Sequence, residues 1–160
     1  MIKGYTTDFQ YRRSEKRLKE LHTRLDESSK EAALAAEHGD LIDNAEFNAA
    51  VGEERLNFSR IRELEMEISS CEIVDTKCVA TDMVRIGNSI EVLDLDSRSK
   101  ITFNIVGKGP TYSDKREISY MSPLGAQLIG KRIGFIADVN LPAGNQRYLV
   151  LDIKRYNPEH

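Results

Sequence analysis

From about Asp8 to Glu37 the chain contains neither glycine nor proline, and good helix formers fill the run. Leu18, Leu21 and Leu25 recur at spacings of three and four, and Ala32 and Ala36 continue the stripe. Charged residues occupy most other positions, so the pattern predicts an amphipathic helix with a narrow apolar seam. His38-Gly39-Asp40-Leu41 breaks it, and Gly39 suits the left-handed conformation of a helix C-terminal cap. Asp43-Asn44-Ala45-Glu46 reads as a capping box, with Asp43 as N-cap and Glu46 three residues on. A second helix follows from about Asn44 to Ser70, with Phe47, Val51, Phe58, Ile61, Leu64 and Ile68 as its seam. Two long helices joined by a short turn bury both seams only by folding back antiparallel. Each arm of about 27 residues is then about 40 Å long. The first half, residues 1–75, is expected to be a protruding antiparallel coiled-coil hairpin with its tip at residues 39–46.

Past Ile73 the period changes. Val84 to Gly87 and Ser89 to Leu95 alternate as half-buried strands do. Asp96 to Ser99 is a turn, and Lys100 to Val106 a second strand, which together make a hairpin. Ile118 to Tyr120 reads as a short strand. Pro123 to Gly130 reads as a short helix, with Ser122 as N-cap and Pro123 at its first position. Gly134 to Asn140 and Gln146 to Tyr156 give two more strands around the turn Pro142-Ala143-Gly144-Asn145. The fold class is therefore α+β in two domains, with residues 76–160 forming a small antiparallel β-sheet domain with a short helix.

Composition limits what such a chain does. It is 31% charged and 7% aromatic, without tryptophan, as a long solvated helical element with a modest core would be. No stretch approaches the roughly 18 apolar residues of a membrane span, and the N-terminus lacks an apolar signal segment. A cytoplasmic protein without a membrane partner is expected. Cys71 and Cys78 match no common zinc spacing and are read as free thiols, and His22, His38 and His160 are scattered. The first 75 residues carry 11 Lys and Arg against 17 Asp and Glu, and the rest carry 12 against 9. At a net charge of −3 the chain is not a general nucleic-acid binder riding on a basic surface.

The acidic half places Asp40 and Asp43 around the turn, with Glu46 just behind. Carboxylate oxygens suit hard cations such as Mg²⁺, often one or two of them with water and substrate phosphates. Two carboxylates do not build a complete cage. They can complete a half-built site on a partner, holding Mg²⁺ and orienting water for phosphodiester hydrolysis. The competing structural readings are an N-cap role for Asp43, worth roughly 1 kcal/mol, and a solvated loop position for Asp40. Arg12, Arg13, Lys16, Arg17 and Lys19 near the base of the first helix read either as a solvated face or as a contact with a partner.

The run His38-Gly39-Asp40-Leu41-Ile42-Asp43-Asn44-Ala45-Glu46-Phe47-Asn48-Ala49-Ala50 resembles the tip signature of the Gre family of bacterial transcript-cleavage factors, Gly-Asp-Leu-x-Glu-Asn-Ala-Glu-Tyr-x-Ala-Ala. Ser122-Pro123-Leu124-Gly125, Leu128-Ile129-Gly130-Lys131, Gly134 and Tyr148 to Tyr156 resemble its second signature, and Val92 to Ser97 its first C-domain hairpin. The resemblance covers nearly the whole chain and is closest to the A type. It implies a C-terminal domain of FK506-binding-protein-like fold that docks on bacterial RNA polymerase, with Ser122, Pro123, Gly130 and Lys131 in the docking region. It also implies that the coiled coil enters the secondary channel. There Asp40 and Asp43 help hold Mg²⁺ jointly with the polymerase, supported by Asn44, Glu46 and Phe47. The polymerase then cleaves the nascent RNA 3′ segment in backtracked complexes and resumes elongation. On this reading the chain is a transcription elongation factor acting as a monomer, with no complete active site and no metal of its own. DNA binding is expected as part of the transcription complex.

The sequence departs from the pattern at several positions. Asp43 stands where the family usually has Glu, Phe47 where it has Tyr, Val51 where A-type factors often carry Arg, Ala126 where a basic residue is common, and Phe135 where Asp is usual. These departures leave open a secondary-channel regulator that competes or inhibits without stimulating cleavage. A coiled-coil adaptor or a prolyl isomerase on the second domain is the alternative of another class. The scarcity of aromatics weighs against the isomerase, whose pocket needs an aromatic-lined apolar cavity.

Overall fold

In the computed structural model, residues 3–37 and 44–159 are described. The elements run β1 (Gly4–Thr7), α1 (Asp8–Glu37), α2 (Ala45–Ser69), β2 (Cys71–Val74), β3 (Asn88–Asp94), β4 (Lys100–Val106), β5 (Glu117–Ser119), α3 (Pro123–Leu128), β6 (Ile136–Leu141) and β7 (Gly144–Arg155). They form two compact units: Arg13–Ser69, and Met1–Arg12 together with Ser70–His160.

The first unit is the expected pair of long helices. Along α1 the seam is Tyr11, Ser14, Leu18, Leu21, Leu25, Ser28, Ala32 and Ala35, each at least half buried and spaced alternately by three and four. Along α2 it is Ala50, Glu54, Asn57, Ile61, Leu64 and Ile68, with Phe47 and Val51 half buried at the near end. The strict three–four alternation is the period of a left-handed coiled coil. One seam position differs from the sequence expectation: Phe58 is 59% exposed, and the position belongs to Asn57, which is 1% exposed. Asn57 lies three residues after Glu54 and four before Ile61, so it keeps the alternation that Phe58 would break. Apolarity favours Phe58, but spacing decides.

The second unit is built on a five-stranded sheet in the order β5-β4-β3-β7-β6. β3 pairs antiparallel with β4 and β7, and β6 pairs antiparallel with β7. Within this sheet β4 and β5 pair in parallel. Ile90 and Val92 of β3, Ile105 of β4, Ala137 and Val139 of β6, and Val150 of β7 fill the core together with Leu128 of α3. β3 alternates buried with half-buried residues along its whole length, which is the period-two pattern read from the sequence. At the β3–β4 turn, Asp94 accepts from the backbone N–H groups of Asp96 at 2.9 Å and Ser97 at 3.2 Å. Those donors hold its carboxyl below the usual carboxylate range.

The strands β1 and β2, which pair in parallel with Gly4 opposite Cys71, were not anticipated. Through them the start of the chain joins the unit that contains the sheet. The division between compact units therefore falls after Arg12 within α1 and again before Ser70. The physical reason is a buried polar hub. Thr7 and Gln10 form a reciprocal cap at the start of α1: Gln10 N donates to Thr7 Oγ1 at 3.3 Å, and Thr7 N donates to Gln10 Oε1 at 3.4 Å. Gln10 is fully buried. Its Oε1 also accepts from Gly107 N at 2.8 Å, while its Nε2 donates to the carbonyls of Gly107 and Pro110. The approach is so close that a Cβ on Gly107 would lie 2.3 Å from the Tyr5 carbonyl oxygen. Phe9 and Tyr156 pack edge to face beside it, with ring centroids 5.2 Å apart.

Gln10→Ala removes the acceptor of a buried N–H and half of the cap. It is expected to lower the unfolding free energy by about 3 kcal/mol, measured by denaturant titration of the full chain.

Candidate functional site

Asp40 and Asp43, the two tip carboxylates, lie outside the described residues, as does Gly39. Description resumes at Asn44, and the residues from there correct the sequence reading of the helix start. α2 begins at Ala45, and the N-cap is Asn44 instead of Asp43. Asn44 Oδ1 accepts from Phe47 N at 3.0 Å, the bond that an N-cap side chain makes to the third helical residue. Glu46 then occupies the second helical position, not the third, so the capping-box assignment fails. The reason for asparagine is its second arm: Nδ2 donates to the Ala35 carbonyl at 2.7 Å. Ala35 lies in the last turn of α1, where carbonyls lack an intrahelical partner. One side chain thus satisfies an orphan donor of α2 and an orphan acceptor of α1. An aspartate has no N–H to give and makes only the first bond.

Glu46 is exposed, and Phe47 is half buried between the seam and solvent. Ala35 and Ala50 are buried, which lets the helices approach closely at this end. Val51, which replaces a basic residue in the family pattern, is half buried and packs along the seam edge. Among the described residues no three His, Cys, Asp or Glu side chains are grouped so as to hold a metal ion.

The predicted docking residues Ser122, Pro123, Gly130 and Lys131 bracket α3. Ser122 Oγ accepts from Gly125 N at 3.1 Å and donates to the Ser119 carbonyl at 2.7 Å, and Pro123 opens the helix as expected. A Cβ on Gly125 would lie 2.1 Å from the Ser119 carbonyl oxygen, so only glycine fits there. The helix ends at Leu128, two residues earlier than read from the sequence. Gly130 takes a positive φ of 78°. Its N–H donates to the Val84 carbonyl at 2.9 Å, and Val84 N donates to the Lys131 carbonyl at 2.8 Å. These bonds tie the end of α3 to the segment before β3.

An apolar hollow of about 460 Å³ adjoins that tie, lined by Tyr5, Val79, Met83, Tyr120 and Ile129 among others. The tyrosine rings meet edge to face at 6.3 Å. The scarcity of aromatics in the chain therefore does not prevent an aromatic-edged apolar hollow, because β1, unseen in the sequence, supplies Tyr5. Elsewhere, Cys78 Sγ lies 3.4 Å from Asp75 Oδ2, and the hydrogen bond and negative charge of that carboxylate push the thiol pKa up. This weakens Cys78 as a nucleophile.

Two family models cover the chain. Residues 5–73 match the transcription elongation factor N-terminal domain, and residues 79–155 match the GreA/GreB C-terminal domain. The transcription elongation factor GreA of Chloroherpeton thalassium is 36% identical over 153 residues, covering 95% of this chain and 97% of that protein. GreA of Chlorobaculum tepidum is 38% identical over 143 residues, covering 86% and 90%. Among solved structures, GreA factor homolog 1 (Gfh1) of Thermus thermophilus aligns over 96% of this chain and 99% of its own, with 24% identity and a TM-score of 0.45.

Asn44→Ala is expected to destabilise the helical hairpin by about 1–2 kcal/mol. Asn44→Asp is expected to recover only part of that loss, because it keeps the acceptor and loses the donor. Thermal unfolding followed by helical circular dichroism reads both.

Proposed function

The chain belongs to the GreA/GreB family of transcription elongation factors, and from that premise we propose that it binds bacterial RNA polymerase and stimulates hydrolysis of the nascent RNA. The hairpin enters the secondary channel of a backtracked complex, while the unit containing α3 docks at the channel rim. At the catalytic centre Asp40 and Asp43 would hold Mg²⁺ jointly with the polymerase. A metal ion there stabilises developing phosphoryl charge and lowers the pKa of bound water. The chain's own contribution is to bring two fixed anions to that centre and to orient water near the scissile phosphodiester. The polymerase supplies the remainder of the site, so the chain is an activator and not itself an enzyme.

The observation that supports this reading most directly is the bond pair of Asn44. The N-cap of α2 is already filled, so a carboxylate at position 43 is not needed as that cap. The structural reading of Asp43 thus loses its main ground. The same side chain ties the end of α1 to the start of α2. The groups present fit a shared cation: hard oxygen donors, too few for a cage of their own.

A second reading rests on Val51, half buried where a cation would face RNA. Without that cation the chain acts as a channel regulator that competes with other factors and leaves RNA uncut.

Purified chain added to stalled, backtracked complexes is expected to shorten the RNA. Asp40→Asn is expected to reduce cleavage roughly a hundredfold while binding polymerase as the wild type does; parallel loss of binding would make Asp40 structural. Inhibition of elongation without shortened RNA would establish the regulator reading. Asp43→Asn is expected to lose cleavage and to leave the unfolding free energy within about 0.5 kcal/mol of wild type, since Asn44 carries the cap. A larger loss of stability with intact cleavage would return Asp43 to a structural role.

A further inference from the structure

We infer that the helical hairpin is built as a stem and a separately opening end, divided by a polar belt of Ser28, Ser29, Glu54 and Asn57. Ser29 Oγ donates to Glu54 Oε1 at 2.8 Å, which places these residues of α1 and α2 at one level of the hairpin. Ser28 is 2% exposed, and its hydroxyl turns back to the Leu25 carbonyl of its own helix at 3.0 Å. It therefore adds no bond across the seam. Asn57 is 1% exposed, and its amide nitrogen finds no acceptor among the described residues. A half-satisfied buried polar layer is costly in a low-dielectric seam, and water relieves that cost when the layer opens.

The two sides of the belt differ in what they bury. On the stem side Leu18, Leu21 and Leu25 share the seam with Ile61, Leu64 and Ile68. On the other side the buried residues are Ala32, Ala35 and Ala50, against Leu21 and Ile61 on the stem; Phe47 and Val51 are half buried, as Leu18, Leu25, Leu64 and Ile68 are. An alanine removes one methyl group from water where a leucine removes four carbons, so the hydrophobic stabilisation per layer falls sharply past the belt. Beyond it, the Asn44–Ala35 hydrogen bond is a polar tie between the arms. Local opening follows the cheapest boundary, and here that boundary is the belt, because opening up to it hydrates the poorly paired groups and exposes little apolar surface. The end of the hairpin can then rearrange on contact with a partner while the stem stays folded.

Amide hydrogen exchange on the full chain tests this. Amides in 30–36 and 46–55 are expected to exchange about tenfold or more faster than those in 17–27 and 58–67, with a step at the belt. Asn57→Leu removes the unpaired amide and adds apolar burial. It is expected to slow exchange in 30–36 and 46–55 by about the same factor and to change the stem much less. Uniform protection along both helices would overturn the inference, as would a smooth decline from the turn without a step. So would an Asn57→Leu effect that is equal on both sides of the belt or absent from both.

Discussion

Neither long helix of this chain is stable by itself in water, because helix formation has a costly nucleus and most helical stability in proteins comes from burying an apolar face. Each arm carries only a narrow stripe, alternately three and four residues apart. The stripes are therefore satisfied only by each other, and the antiparallel pairing of α1 with α2 follows. The constraint is strict enough to override side-chain chemistry. Asn57 takes a buried place on spacing, and Phe58 is left in solvent.

The ends of α1 are handled by side chains that act twice. At its start Gln10 accepts from the Thr7 and Gly107 N–H groups through Oε1 and donates to the Gly107 and Pro110 carbonyls through Nε2. Past its end Asn44 caps α2 and returns a donor to Ala35. Both are amides, and the chemistry explains why: only a group with an acceptor and a donor on one short arm serves two backbone segments at once. An aspartate or glutamate supplies half of that. The structural capping of α2 rests on a neutral amide.

Much of this was legible in order along the chain. β4 and the start and end of α1 lie where the pattern puts them, and α2, β3, β5, β6 and β7 lie within a few residues of expectation. The tip motif and the α3 motif carried the family assignment. Three features were not read. The cap between Thr7 and Gln10 has the local T-x-x-Q pattern of a capping box. The parallel pairing of β1 with β2 joins segments more than sixty residues apart in sequence, Gly4 to Cys71, and no local pattern marks it. The aromatic-edged hollow needed β1 in place before Tyr5 reached Tyr120.

What the sequence alone determined is therefore what depends on short-range spacing. The seam period makes a hairpin, alternation makes the strands, and Ser122-Pro123 starts α3. Tertiary structure decided what depends on which groups meet across space. It made Asn44 the cap instead of Asp43, because Ala35 offered a carbonyl that only an amide could answer. It moved the first strand out of the hairpin half, because Gly107 and Gln10 close a buried hydrogen-bond hub that no local signal contains.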